Sequence, residues 1–158
     1  MQSQDTYRLK LQQLTASLEA WSGFVADVAR VEAGAAGNGW RLALTPLAAG
    51  ACPIEIVLDG SEPLCDVRVG ALIVEDWQLP SLDVVLPLVE AIVDGRVVVR
   101  KLSSAMTGMS VASTTHVALG DGSSIVLPPE AAAEGPSSDS FECRDVYFLP
   151  YRRETGRG

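Results

Sequence analysis

Apolar residues near the start of the chain recur in alternating steps of four and three: Tyr7, Leu11, Leu14, Leu18, Trp21, Val25 and Val28. This is the stripe of an amphipathic helix, and it predicts one from about Asp5 to Val31. Leu9 and Phe24 widen the stripe beyond a strict two-position seam. A packing face within one domain therefore competes with a homodimer through the 7–28 helix. The run Gly34-Ala35-Ala36-Gly37-Asn38-Gly39 ends the helix and reads as a flexible connector. It has no Lys-Ser/Thr pair and follows a helix, whereas a phosphate-binding loop follows a strand.

Beyond it the period changes to two. Trp40, Leu42 and Leu44 alternate with Arg41, Ala43 and Thr45, and Ile54, Ile56 and Leu58 alternate with Glu55, Val57 and Asp59. From Leu64 to Val74 the alternation is less clean, with Val67, Val69, Ala71 and Ile73 on one side. Three half-buried antiparallel strands are expected, the clearest turn being Asp59-Gly60-Ser61-Glu62-Pro63. A second helix is expected from Leu82 or Asp83 to Asp94, with Pro87 confined to its start and Gly95 as a left-handed stop. Arg96–Leu102, Val111–Leu119, Ser124–Leu127 and Phe141–Leu149 read as further strands. Pro128-Pro129-Glu130 opens a short alanine-rich turn, and Gly135–Ser140 reads as a mobile loop.

The expected class is α+β, in the order α-βββ-α-βββ(β). It has a mainly antiparallel sheet of about six strands and helices packed on one face. A doubly wound parallel fold would need strands and helices in strict alternation, which the chain lacks.

Composition narrows the picture to one domain, residues 1–150, followed by a flexible basic tail at 151–158. With 47% apolar and 20% charged residues among 158, the chain is globular rather than disordered. Its longest apolar stretches, such as Val84–Val89, are far too short for a bilayer, and the first residues carry no secretory pattern. A cytoplasmic location without a membrane partner is the expectation. Cys52, Cys65 and Cys143 are odd in number and not closely spaced, so they read as buried thiols rather than a disulfide framework or a zinc site.

Charge adds the sharpest feature. Residues 50–95 hold nine acids (Glu55, Asp59, Glu62, Asp66, Glu75, Asp76, Asp83, Glu90 and Asp94) against the single base Arg68. The segments on either side are each balanced, so the whole net charge of −8 lies in this stretch. Asp83, Glu90 and Asp94 are spaced along one helix face, and Glu55 and Asp59 share one strand face. Contiguous, these faces would make an anionic surface that steers a basic protein partner; otherwise they serve only solubility. They argue against nucleic acid, since Arg96, Arg100, Lys101, Arg152, Arg153 and Arg157 form no stripe with interleaved aromatics. Trp77, beside Asp76 and before Pro80, is the tryptophan assigned to a surface contact.

Catalytic patterns are sparse. His116 is the only histidine, so a nucleophile–histidine pair would have to join it to Ser110, Ser113, Cys65 or Cys143. Alternation with Thr114 and Ala118 reads as an exposed or edge histidine. No Gly-x-Ser-x-Gly elbow is present. A carboxylate site for calcium or magnesium at Asp59, Glu62 and Asp66 lacks an EF-hand pattern, and no metal or cofactor is expected. The segment 103–110, with Met106 and Met109 among hydroxyl residues, reads as a long mobile hairpin connection that could also clamp a peptide.

The expected function is a non-enzymatic acidic protein that neutralises a basic protein partner, of immunity, antitoxin or inhibitor type. The partner-binding residues would be Glu55, Asp59, Glu62, Asp66, Glu75, Asp76, Trp77, Asp83, Glu90 and Asp94. Two alternatives accompany it. One is a dimeric secretion- or assembly-type chaperone. The other is a small-ligand domain or hydrolase with a pocket between the sheet and the first helix, using His116, Cys65 and the acids near Asp59.

Overall fold

A computed structural model describes residues 3–129 and 141–152; the expected turn and loop at 130–140 and the tail residues 153–158 lie outside the described residues. The class is α+β, with two α-helices and two antiparallel sheets of five and four strands. The order is α1 (Ser3–Ser22), β1 (Ala29–Ala36), β2 (Gly39–Pro46), β3 (Ile54–Leu58), β4 (Leu64–Val69), β5 (Leu72–Gln78), α2 (Val85–Val93), β6 (Val97–Ser104), β7 (Ser110–Ala118), β8 (Ser124–Leu127) and β9 (Phe141–Tyr147). Strands β1 to β5 form a meander in chain order, and the second sheet runs β8-β7-β6-β9.

Two differences from the sequence reading account for the extra strands. The first helix ends at Ser22 rather than Val31. A 3₁₀ turn over Gly23–Val25 follows, and Ala29–Ala36 becomes β1. Val25 and Val28 continue the helical spacing by coincidence, because they pack on the core from the turn beyond the helix. The glycine-rich run is therefore no flexible connector. Its first half is strand, and Gly37-Asn38 is the two-residue loop of a hairpin closing on the Ala36–Gly39 pair. The second difference lies in 64–74, which is two strands rather than one. Gly70-Ala71 turns the chain between paired Val69 and Leu72. In both hairpins the first loop residue is glycine with positive φ, 56° at Gly37 and 60° at Gly70. Tight turns that match the strand twist take glycine at this position.

Register shows how the first sheet makes a core. Trp40, Leu58, Cys65 and Trp77 lie in one cross-strand row, Leu42, Ile56, Val67 and Val74 in the next, and Leu44, Ile54, Val69 and Leu72 in a third. All but half-buried Leu72 are buried, and they join one cluster with Leu18 and Val25 and with Val85, Leu88, Val89 and Ile92 of α2. Both helices thus cover the same face. The stripe Tyr7, Leu11, Leu14, Leu18 and Trp21 packs on its own chain's core, while Leu9 points outward. Two polar contacts pin α1: Tyr7 Oη donates to the Asp59 carbonyl at 2.6 Å, and Trp40 Nε1 to Glu19 at 3.3 Å.

Helix α2 ends as its sequence predicts. Gly95 has φ 78°, the Arg96 N–H donates to the Ala91 carbonyl and the Gly95 N–H to the Ile92 carbonyl, the paired bonds of a glycine C-terminal stop. The second sheet inserts only its near end into the core, through Val97, Val117 and Leu127. At the boundary placed after residue 150, Tyr151 is buried with its hydroxyl donating to the Cys52 carbonyl at 2.5 Å. Arg152 forks onto Asp27 at 2.9 and 3.0 Å.

Candidate functional site

The nine acids of residues 50–95 do not converge on one side. Sheet one separates them, because α2 lies on its buried face while Glu55 and Asp66 project from the opposite face. Glu55 is also neutralised, with Arg41 at 2.8 Å from its carboxylate and bridging on to Glu32 at 3.6 Å. Arg68 sits directly across from Glu55 on β4. The middle of the outer face is thus a mixed-charge lattice.

On the other side, Asp83 precedes α2, Glu90 lies on it and Asp94 follows its last residue. Glu90 and Asp94 border a cleft of about 330 Å³ shared with Trp21, Phe24 and Arg152. Asp94 has Arg96 at 3.9 Å.

Five of the acids lie at one end of the first sheet. Asp59 and Glu62 occupy the β3–β4 turn, and Asp66, Glu75 and Asp76 meet where β4 and β5 fall out of step. Between the Cys65–Trp77 and Val67–Val74 pairs, the single residue Asp66 faces two residues, Glu75 and Asp76, so β5 carries a bulge. Within it Asp76 takes the left-handed conformation, φ 53°, and its N–H donates to Asp66 Oδ1 at 2.8 Å. Aspartate tolerates this conformation better than most side chains. The turn is held similarly, with Asp59 Oδ2 accepting from the N–H groups of Ser61 and Glu62, each at 2.8 Å. Asp59, Asp66 and Asp76 line one shallow concavity together with Asn38. None of the five has an ion-pair partner among the described residues. The described residues also hold no group of three or more metal-ligating side chains placed to hold an ion.

Trp77 is not a surface residue. Simple alternation from buried Val74 would turn it outward, but the bulge consumes one extra position and turns it in, leaving it 8% exposed. The sequence carries no sign of this shift beyond the Glu75-Asp76 pair itself.

The residues nominated for catalysis are kept apart. Cys65 is buried between Leu58 and Trp77, and burial pushes its thiol up to about 12, as it does that of Cys52. Both stay protonated near neutrality and are poor nucleophiles. His116 belongs to the other sheet, on a central strand between Val98 and Val126, half-buried, with Nε2 3.0 Å from Thr114 Oγ1. It is neither exposed nor on an edge strand, because β8 extends the sheet beyond β7. Cys143 shares its sheet face but sits level with Ala112, roughly 13 Å along the strands at about 3.3 Å per residue. Ser113 points to the opposite face and Ser110 lies further along still.

One polar cluster escaped the sequence reading. Arg100 Nε and one terminal nitrogen donate to the two oxygens of Asp145, at 3.0 and 3.2 Å, across β6 and β9. This fork holds the Asp145 carboxyl below its ordinary value and raises that of Arg100. Only the pairing of β9 with β6 puts the two opposite each other, and 44 intervening residues hide it in the sequence. The segment 103–110 is the hairpin connection between β6 and β7, with strand only at Ser103, Ser104 and Ser110. Ser104 ends β6 and Ser110 opens β7, and the five-residue connection between them bears Met106 and Met109, 92% and 69% exposed.

No described helix is long and apolar enough to cross a membrane. Comparison of the chain with protein-family models, curated proteins and solved structures finds no match.

Proposed function

We propose that the chain is a non-catalytic binding domain that receives a basic segment of a protein partner at the acidic end of its first sheet. The observation that carries this reading is the placement of five carboxylates, Asp59, Glu62, Asp66, Glu75 and Asp76, at one end of the sheet, three of them lining one concavity, without a single ion pair among the described residues. Uncompensated charges at one rim raise the local concentration of a basic ligand and penalise acidic ones. The site is narrower than the full run of acids in the sequence, because Glu55 is neutralised and the α2 acids lie across the sheet. Neutralisation of the partner, as by an immunity protein or inhibitor, follows if the basic segment is its functional surface.

The test is an NMR titration with an arginine- and lysine-rich peptide beside an acidic peptide of equal length. Amides of 59–66 and 75–76 should shift with the basic peptide alone, and the effect should fade with salt. Glu62→Lys with Glu75→Lys should abolish it, since both side chains are exposed and neither anchors the turn or the bulge. Shifts confined to α2, or none at all, would remove the proposal.

The chaperone reading has one observation in its favour: Met106, Met109 and Val111 stand exposed at the end of the β6–β7 hairpin. Adaptable thioethers suit a surface that accepts varied apolar segments. Met106→Ser with Met109→Ser should then lower the capacity to keep an unfolded client soluble, and unchanged capacity would leave that reading unsupported.

A further inference from the structure

We propose that two copies of this chain associate through β9, edge to edge, to form one continuous eight-stranded sheet. Strand β9 closes the second sheet, and among the described residues no strand pairs with its outer side. The Phe148 N–H donates to the Val97 carbonyl, and the β6–β9 register runs without interruption from Val98–Tyr147 to Ser104–Phe141. The antiparallel pattern alternates, so Glu142, Arg144 and Val146 direct their backbone groups to β6 while Phe141, Cys143, Asp145 and Tyr147 direct theirs outward. Such a row is a template for another strand.

Charge selects the second copy as the occupant, and selects the register. When β9 pairs antiparallel with its twin about a two-fold axis at Cys143, the outward-directed residues meet, Cys143 with Cys143 and Phe141 with Asp145. Glu142 then lies directly opposite Arg144 of the other copy, twice over by symmetry. Moving the axis to Glu142, Arg144 or Asp145 sets like charges against each other, which is destabilising in a directly opposed pair.

Within its own sheet Arg144 lies opposite Lys101, another like-charge pair, and neither has an ion-pair partner among the described residues. A carboxylate from the second copy would relieve that repulsion. Among the described residues the arrangement is sterically open. Glu142, Cys143 and Arg144 are exposed, and each domain body lies beyond the Tyr147 end of its strand. Antiparallel pairing sends the two bodies to opposite ends. Edges are guarded by charged side chains, prolines, bulges or a covering segment, and charges guard less well where the second strand brings opposite charges to meet them. This one carries a self-complementary Glu-Cys-Arg.

Light scattering after size exclusion, across a wide concentration range, tests the proposal. The particle should reach twice the 16.7 kDa chain mass. Glu142→Arg alone and Arg144→Glu alone should each return it to one chain, and the double exchange should restore the dimer. Cys143→Pro, which removes an outward N–H without touching the β6 ladder, should also give a monomer. Circular dichroism confirms the fold of each variant, and the charge exchange keeps the test decisive should the proline variant unfold. In the wild type, a short bismaleimide should link two chains through Cys143, since Cys52 and Cys65 are buried. A strict monomer at every concentration would overturn the proposal, as would a dimer indifferent to the charge reversals. Peptide binding at the acidic end of the first sheet is read in a different experiment and is independent of either result.

Discussion

The two sheets of this molecule are built from similar strands but stand in different relations to the core. In the five-stranded sheet, the three cross-strand rows on one face join one buried cluster with residues of both helices, and Arg41, Glu55, Asp66 and Arg68 stand on the opposite face. In the four-stranded sheet, only the end near Val97, Val117 and Leu127 reaches the core, and beyond it β6, β7 and β9 continue with both faces in contact with solvent. Burial of apolar area is the main favourable term in folding. The first sheet should therefore hold most of the stability, leaving the far half of the second to contacts outside the domain.

The largest test of this contrast is a pair of truncations. Leu58 is fully buried in the Trp40–Leu58–Cys65–Trp77 row, whereas Leu102 is half-buried on the far part of β6. Leu58→Ala should lower the unfolding free energy by about 2–5 kcal/mol, and Leu102→Ala by less than about 1 kcal/mol. Urea unfolding of both variants measures this, and equal losses would dissolve the contrast.

Glycines give a second, smaller comparison. A Cβ on Gly39 would lie 1.8 Å from the Leu58 carbonyl oxygen, so β2 and β3 approach each other more closely than alanine permits. Gly108, in the β6–β7 connection, has open space around it and only a positive φ of 71°. Gly39→Ala must displace backbone and should cost about 2–3 kcal/mol, against roughly 1 kcal/mol for Gly108→Ala. Similar costs would mean that the crowded contact relaxes freely, and that the first sheet is less rigidly packed than its rows suggest.

How far the sequence reveals this structure follows the same division. Trp40–Thr45 and Ile54–Leu58 were legible because a strand with one face buried writes its period into the chain. Leu82–Gly95 was legible because the glycine stop has a specific chemistry. β1 was hidden for two reasons: Val25 and Val28 extend a helical spacing beyond the helix, and Ala33, Gly34, Ala35 and Ala36 carry little strand signal. The single strand read over 64–74 concealed a hairpin because a lone glycine marks the turn.

For the candidate site, sequence gave the charge but not its arrangement. Whether Glu55 stands with Asp59 or is neutralised by Arg41 depends on which strands are neighbours, and pairing is a non-local property. The bulge that gathers Asp66, Glu75 and Asp76, and turns Trp77 inward, is set by the β4–β5 register alone.

That bulge supplies a third test, smaller again, and one that joins the site to the sheet. Asp76 sits at φ 53°, where a β-branched side chain is strained and glycine is not. Asp76→Val should therefore cost about 1–2 kcal/mol, and Asp76→Gly less than about 0.5 kcal/mol. If the bulge is what holds the carboxylates together, the valine variant should also weaken basic-peptide binding more than the glycine variant, although each removes one charge. Equal stability of the two variants would mean that β5 does not need the left-handed residue.

The smallest effect belongs to the second sheet, where stability comes from surface contacts. Arg100 holds Asp145 across β6 and β9, and the bond depresses the Asp145 carboxyl below the 3.8 of an unconstrained side chain. A depressed folded value means that the native state favours the ionised form. The contribution is complete above the unfolded value and is lost as pH falls through the folded one. Both side chains are solvent-accessible, so the loss should register locally rather than as global unfolding. Amide-exchange protection along β9, corrected for intrinsic rates, should fall in this acidic window while that of β2 and β3 stays level. Asp145→Asn should show lower β9 protection at neutral pH and no further fall on acidification. A uniform fall across both sheets would mean that the second sheet is coupled to the core along its whole length, and that its far half is no separate, weakly held platform.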